Sequence, residues 1–244
     1  MALEVIEQKR EVIEGRARIR EFVFGIQDGL ISTVGLLAGV QGATESDTVV
    51  ILTGVTAMLS GAISMSSGSY LSSSAEKEIF DKELREAVGL AEREPYLAAE
   101  GLLRALGQEG LKKEQGYRIV KLLAQEEGVF LRTFQEKVFG LGTAEINRPL
   151  QAALVMGASF IIGALVPLFP YLFLAGMRAL YLSVTLAAVT LFGVGMFKGH
   201  LAARSLFFSG LEFFFIAVCA SGLGYLIGLA AQYFFPGIAL PVGS

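Results

Sequence analysis

Five apolar stretches dominate the chain, at residues 22–42, 48–71, 150–170, 179–197 and 206–235. A helix needs about 20 residues to cross the hydrocarbon core of a bilayer, so each stretch predicts one membrane span. Between the second and third, residues 76–148 turn abruptly charged and rich in helix formers. Pro95 and the pair Gly107 and Gly110 punctuate this insert into three predicted helices, 76–92, 95–107 and 112–139, with the last open to a break at Gly116 or Gly128. Ahead of the first span, Val5, Ile6, Val12, Ile13 and Ile19 recur among charges at helical spacing. That pattern suits an amphipathic helix on the membrane surface or a solvated lead-in helix, and not a cleavable signal peptide. No strand-like alternation occurs. The expected fold is all-α: a five-span transmembrane bundle with a cytoplasmic helical insert between spans two and three. Its parts are residues 1–21, the N-terminal amphipathic helix; 22–75, spans one and two; 76–148, the insert; and 149–244, spans three to five.

Composition supports the membrane reading, since 18% of the 244 residues are charged and the mean hydropathy is +0.59, against about 25% charge in a typical soluble domain. A net charge of −3 gives no case for nucleic-acid binding. Orientation follows from lysine and arginine: nineteen of the twenty lie before span one, in the insert or between spans four and five, and Arg178 alone lies on the other side. Positive residues stay in the cytoplasm, which places the N-terminus and the insert there and puts Glu45, Asp47 and the C-terminal tail opposite.

The chemistry-bearing residues are few. Cys219 and His200 are single, so thiolate and histidine-rich metal sites are excluded and any metal must be held mainly by oxygen. Asp28 stands inside span one, in the sequence Gln27-Asp28-Gly29. An ionisable group there marks a solute or proton path, or else a hydrated interfacial Asp-Gly pair. Glu212, near Lys198, His200 and Arg204, is expected to be an ion-pair partner at the cytoplasmic edge. Met65, within a run of small residues in span two, could offer a thioether to a borderline metal, although a membrane methionine usually serves packing. The glycines of spans one and two suit close helix approach. Fourteen acids populate the insert, and Glu83 and Glu86 share a helical face as carboxylate metal ligands do; twelve interleaved basic residues equally suit an ordinary salt-bridged surface. No phosphate loop or nucleophile motif occurs, so neither enzymatic activity nor a prosthetic group is expected.

Four segments taken in order resemble the vacuolar iron transporter family. They are Phe24-Gly-Ile-Gln-Asp28-Gly-Leu30, Ser60-Gly-Ala-Ile-Ser-Met65 with Gly68-Ser-Tyr70-Leu, Leu154-Val-Met-Gly-Ala-Ser-Phe160 continuing through Gly163-Ala-Leu-Val-Pro167-Leu-Phe-Pro170-Tyr, and Leu191-Phe-Gly193 through Lys198-Gly199. The resemblance implies a homodimer in the lipid bilayer, with a pathway between subunits faced by Asp28 and Met65. It also implies that Fe²⁺, with Mn²⁺ next, is bound transiently and leaves the cytosol in exchange for protons, across the plasma membrane of a prokaryote or the vacuolar membrane of a eukaryote. Metal collection by glutamates of the insert is implied too. By position these are Glu83 and Glu86, the one E-x-x-E pair of the insert, with Glu100 after Pro95 and Glu136 where relatives carry methionines. Ala57 stands where some members carry an acid. A non-transporting membrane scaffold or metal sensor, its insert binding a partner, is the competing expectation.

Overall fold

A computed structural model describes residues 16–140 and 148–234, and all the elements among them are helical. Most of the N-terminal helix expected at 1–21, together with Glu145 and the C-terminal tail, lies outside the described residues. In order the helices are α1 (Arg16–Ala43), α2 (Asp47–Arg93), α3 (Pro95–Gln108), α4 (Lys113–Leu123), α5 (Glu127–Val138), α6 (Pro149–Leu168), α7 (Gly176–Leu201) and α8 (Leu206–Phe234), with a short 3-10 turn at Phe169–Leu172 after α6. Five of them, α1, α2, α6 with its 3-10 turn, α7 and α8, are long and apolar enough to span a membrane. The chain divides into two compact units, residues 1–70 with 149–244, and residues 71–148.

In the membrane unit α1 is the central helix. Leu30, Val34 and Leu37 are fully buried on it, and small residues let its neighbours reach its backbone. On one side a Cβ at Gly25 would come within 2.7 Å of the Met156 carbonyl oxygen, and one at Gly29 would press on that of Phe160, both on α6. On the other, a Cβ at Gly224 or Gly228 of α8 would press on the carbonyl oxygens of Gly35 and Gly39. Outward-facing positions such as Leu52, Ile63, Leu154, Val189 and Ile227 are exposed and apolar, the composition that lipid tails accept.

A proline shapes the end of α6. Pro167 lies inside the helix and has no N–H for the carbonyl one turn back. Its own carbonyl accepts a 2.7 Å hydrogen bond from the Ser183 hydroxyl of α7, both side chains being buried. At the same end of the unit, the Gly176 N–H that opens α7 donates 2.7 Å to the Asp47 carboxylate in the first turn of α2. A carboxylate suits a helix N-terminus because the first amides there have no partner within the helix.

The other unit is built around Ala87, Ala91, Ala98, Leu102, Leu106, Val120, Phe130 and Phe134. Phe134 stacks on Phe130 and meets the edge of Phe139, the ring centroids 6.2 and 5.3 Å apart. Two expectations need correction. The first insert helix, expected at 76–92, is not a separate element, because α2 continues unbroken through Ser72–Ser74 to Arg93; serine costs a helix only a few tenths of a kcal/mol and no proline intervenes. The third insert helix breaks at Ala124–Glu126, where the amides of Gln125 and Glu126 turn back to Leu122 and Leu123. Gly116 sits inside α4 against Leu103, and Gly128 falls in the first turn of α5.

Candidate functional site

Asp28 lies in the membrane-spanning part of α1 and is half-buried. Its main-chain carbonyl accepts a 2.5 Å hydrogen bond from the Ser32 hydroxyl. Its carboxylate has no hydrogen bond or ion pair among the described residues. Directly after it, Gly29 seats α1 on Phe160 and Ala164 of α6. Met65 packs, partly buried, against the cluster of Met58, Ala62, Phe160 and Ala164. Asp28 and Met65 are thus held around the same turn of α6, one by its neighbour and the other by its own side chain. Together they offer a charged oxygen ligand and a soft thioether.

A second acid on α1 escaped the sequence reading, which left Glu21 in the surface helix. Glu21 is 7% exposed, the one charged side chain that is buried among the described residues. One carboxylate oxygen meets the Arg20 guanidinium at 3.1 Å and the other accepts from the Ser69 hydroxyl of α2 at 3.3 Å. The legible signal was spacing: Glu21 precedes Asp28 by seven residues, two helical turns, and so shares its face.

The acids of the 71–148 unit are arranged differently. Glu83 and Glu86 are both exposed on α2, and Glu86 pairs with Lys82 one turn away at 3.7 Å. Glu100 on α3 pairs with Arg104 at 2.7 Å. Glu136 is exposed on α5 beside Lys137, whose amine donates 2.7 Å to Glu109. That hydrogen bond, together with the charges of Glu109 and Glu136, holds Lys137 above the ordinary lysine range. Among the described residues no three His, Cys, Asp or Glu side chains gather closely enough to hold a metal ion. Glu212 is exposed and pairs with none of the basic residues near it, contrary to expectation. Lys198 instead lies over the ring of Phe213, 4.8 Å from its centroid, an attraction that a cation gains from an aromatic face.

The model of the VIT family matches residues 19–229. Vacuolar iron transporter 1 of Eucalyptus grandis is 29% identical over 215 residues, covering 88% of this chain and 86% of that protein. Vacuolar iron transporter 1 of Arabidopsis thaliana is also 29% identical, over 220 residues with the same coverage. Protein CCC1 of Saccharomyces cerevisiae is 27% identical over 195 residues, spanning 77% of this chain and 59% of the yeast protein.

Proposed function

The chain belongs to the VIT family, and we propose on that footing that it is a metal-ion transporter, carrying Fe²⁺ and secondarily Mn²⁺ out of the cytosol in exchange for protons. The observation that carries this reading is Asp28, an acid in a membrane-spanning helix without a side-chain partner among the described residues. A carboxylate in a dehydrated path cannot stay both ionised and alone, because desolvating the charge is too costly. It is neutralised by a proton or by a bound cation. Those two states exclude each other at one site, and that exclusion couples the flow of metal to the flow of protons. Met65 adds a thioether, a ligand that favours Fe²⁺ over the harder Mg²⁺ and Ca²⁺. The pathway is completed between two copies of the chain, with Asp28 and Met65 facing it. The reading is tested in sealed proteoliposomes of the full-length protein, comparing Fe²⁺, Mn²⁺, Co²⁺ and Zn²⁺ under an imposed pH gradient. Absence of gradient-dependent metal movement would leave the scaffold reading in its place.

The N-terminus and the insert face the cytosol in this scheme, so a cysteine placed at Ser46 is expected to react with an impermeant maleimide from the non-cytosolic side alone. Labelling from the cytosol would reverse the direction of transport. The insert glutamates Glu83, Glu86, Glu100 and Glu136 act as a diffuse cation-gathering surface, consistent with the exposure of Glu83, Glu86 and Glu136 and with the basic partners of Glu86 and Glu100. Clustered negative charge raises the local concentration of divalent ions, and salt screens the effect. Joint replacement of the four by glutamine is expected to slow transport several-fold at low metal concentration and low salt. The deficit should vanish at high salt. A deficit that salt does not touch would mean direct coordination, and no deficit would mean an ordinary protein surface.

A further inference from the structure

Glu21 is costly where it stands. Its carboxylate is buried, yet its compensation is one long hydrogen bond from Ser69 and the guanidinium of Arg20, whose own side chain is 68% exposed. A buried charge with partners this loose is poor stabilisation; within a membrane helix it marks a place where something else binds. Its position says what that is. Glu21 lies two turns from Asp28 on one face of α1, about 10.5 Å along the axis, and Ser69 lies one turn beyond Met65 on α2, about 6 Å along. A three-residue link joins α1 to α2, so the two helices run antiparallel and both steps lead away from it. The Glu21–Ser69 contact therefore lies further from that link, on both helices, than Asp28 and Met65 do.

We propose that Glu21 is a second cation-binding carboxylate, a receiving site on the cytosolic side that loads divalent metal before it reaches Asp28, with Arg20 as its displaceable counter-charge. The proposal rests on the transport reading above and adds a site to it. Ionised, the carboxylate offers about four lone-pair positions, of which Ser69 and Arg20 take two. Ser69 fixes the orientation of one oxygen. Arg20, being largely exposed, can swing into water without burying anything. The 10.5 Å step is too long for one ion to be shared, so metal passes from Glu21 to Asp28 as between two successive sites. This assigns opposite effects to two adjacent residues: removing the Glu21 charge weakens metal capture, while removing Arg20 frees the carboxylate and strengthens it.

The test uses full-length protein in proteoliposomes, with initial Fe²⁺ rates measured from the cytosolic face over a range of concentrations. Glu21→Gln keeps the volume and can still accept from Ser69. Its half-saturating Fe²⁺ concentration should rise about tenfold, at the low end of electrostatic focusing, with the saturated rate close to that of the unaltered protein. Arg20→Ala should shift half-saturation downward, and Glu21→Asp, which keeps the charge, should recover most of the affinity. Equal half-saturation in Glu21→Gln and the unaltered protein, or shifts of the same sign in Glu21→Gln and Arg20→Ala, would overturn the proposal in favour of a structural ion pair. A second measurement does not depend on transport. In purified Asp28→Asn protein, titration with Mn²⁺ read by electron paramagnetic resonance should show one bound ion fewer when Glu21→Gln is added, and an unchanged number overturns the receiving site. If that ion is lost while the unaltered vesicles move no metal, the transport reading fails and the site stands.

Discussion

Asp28→Asn should abolish proton-coupled metal transport while leaving a folded protein of unchanged oligomeric state. Asparagine matches the size of the acid and can take its place beside Gly29, so the close approach of α1 to Phe160 and Ala164 is not disturbed. What disappears is the charge. Without it the site has no strong attraction for a divalent ion and no group that exchanges a proton for one, so both halves of the coupling go together. The expected loss in Fe²⁺ rate is about a hundredfold or more, equivalent to about 2.7 kcal/mol at the limiting barrier. Met65→Ala removes the thioether proposed as a ligand, which also packs against the cluster around Phe160, and is expected to cost less in rate and more in discrimination against Ca²⁺ and Mg²⁺. The measurement is Fe²⁺ uptake with and without a pH gradient, beside a size-exclusion profile. An Asp28→Asn protein that moves Fe²⁺ at full rate with the usual dependence on the gradient would remove this mechanism.

Enlarging the glycines where helices meet backbone to backbone should have the largest effect on stability. A valine at Gly29, Gly224 or Gly228 would drive its Cβ into the carbonyl oxygen of Phe160, Gly35 or Gly39, and a backbone atom cannot turn aside as a side chain can. Relief requires α1 to separate from α6 or α8, opening the contacts of Leu30, Val34 and Leu37. Overpacking of this kind costs about 1–3 kcal/mol, and for a chain of this size each kcal/mol lowers the melting temperature by about 2–4 °C. Gly193→Ala and Gly222→Ala are the controls, since a Cβ at either meets nothing within 4 Å. In a helix interior they should be neutral or gain up to about 1 kcal/mol. The chain has no tryptophan, so melting is best followed as loss of monodisperse elution after heating. Equal melting temperatures for the two groups would mean that the close helix contacts are not what holds the bundle together.

The five spans were legible because runs of apolar residues of the right length have few other uses, and apart from α2, which runs on to Arg93, the span ends lie within four residues of the expected bounds. Close glycine contact could be read from four-residue spacing, but the partners could not: Gly25 and Gly29 serve α6 while Gly35 and Gly39, on the same helix, serve α8. Continuity of α2 through Ser72–Ser74 was hidden because serines suggest a boundary, whereas hydrogen bonds already running along a helix are cheap to extend. Glu212 was misread because proximity in sequence favoured an ion pair, and the face of Phe213 drew Lys198 elsewhere. Asp28 stood out because its surroundings are apolar. Glu21 did not, because ten charges crowd the first twenty-one residues and burial of one among them leaves no mark on composition.

Stiffness is unevenly distributed across the membrane unit. Helices α1, α6 and α8 touch through backbone atoms, and such a contact cannot yield by a change of rotamer. The membrane half of α2 is held by side chains instead, Leu37 and Leu168 against Gly54, Phe160 against Gly61 and Ser66 against Gly157, and side-chain seams can slide and repack. One end of that helix is pinned, because the Asp47 carboxylate grips the first amide of α7. A rod fixed at one end and loosely flanked along its length behaves as a lever, with the least play at Asp47 and the most at Ser69, about 33 Å away. A tilt of about 5° about that pivot carries Ser69 through about 3 Å, enough to make or break its grip on Glu21 while the three locked helices stay still.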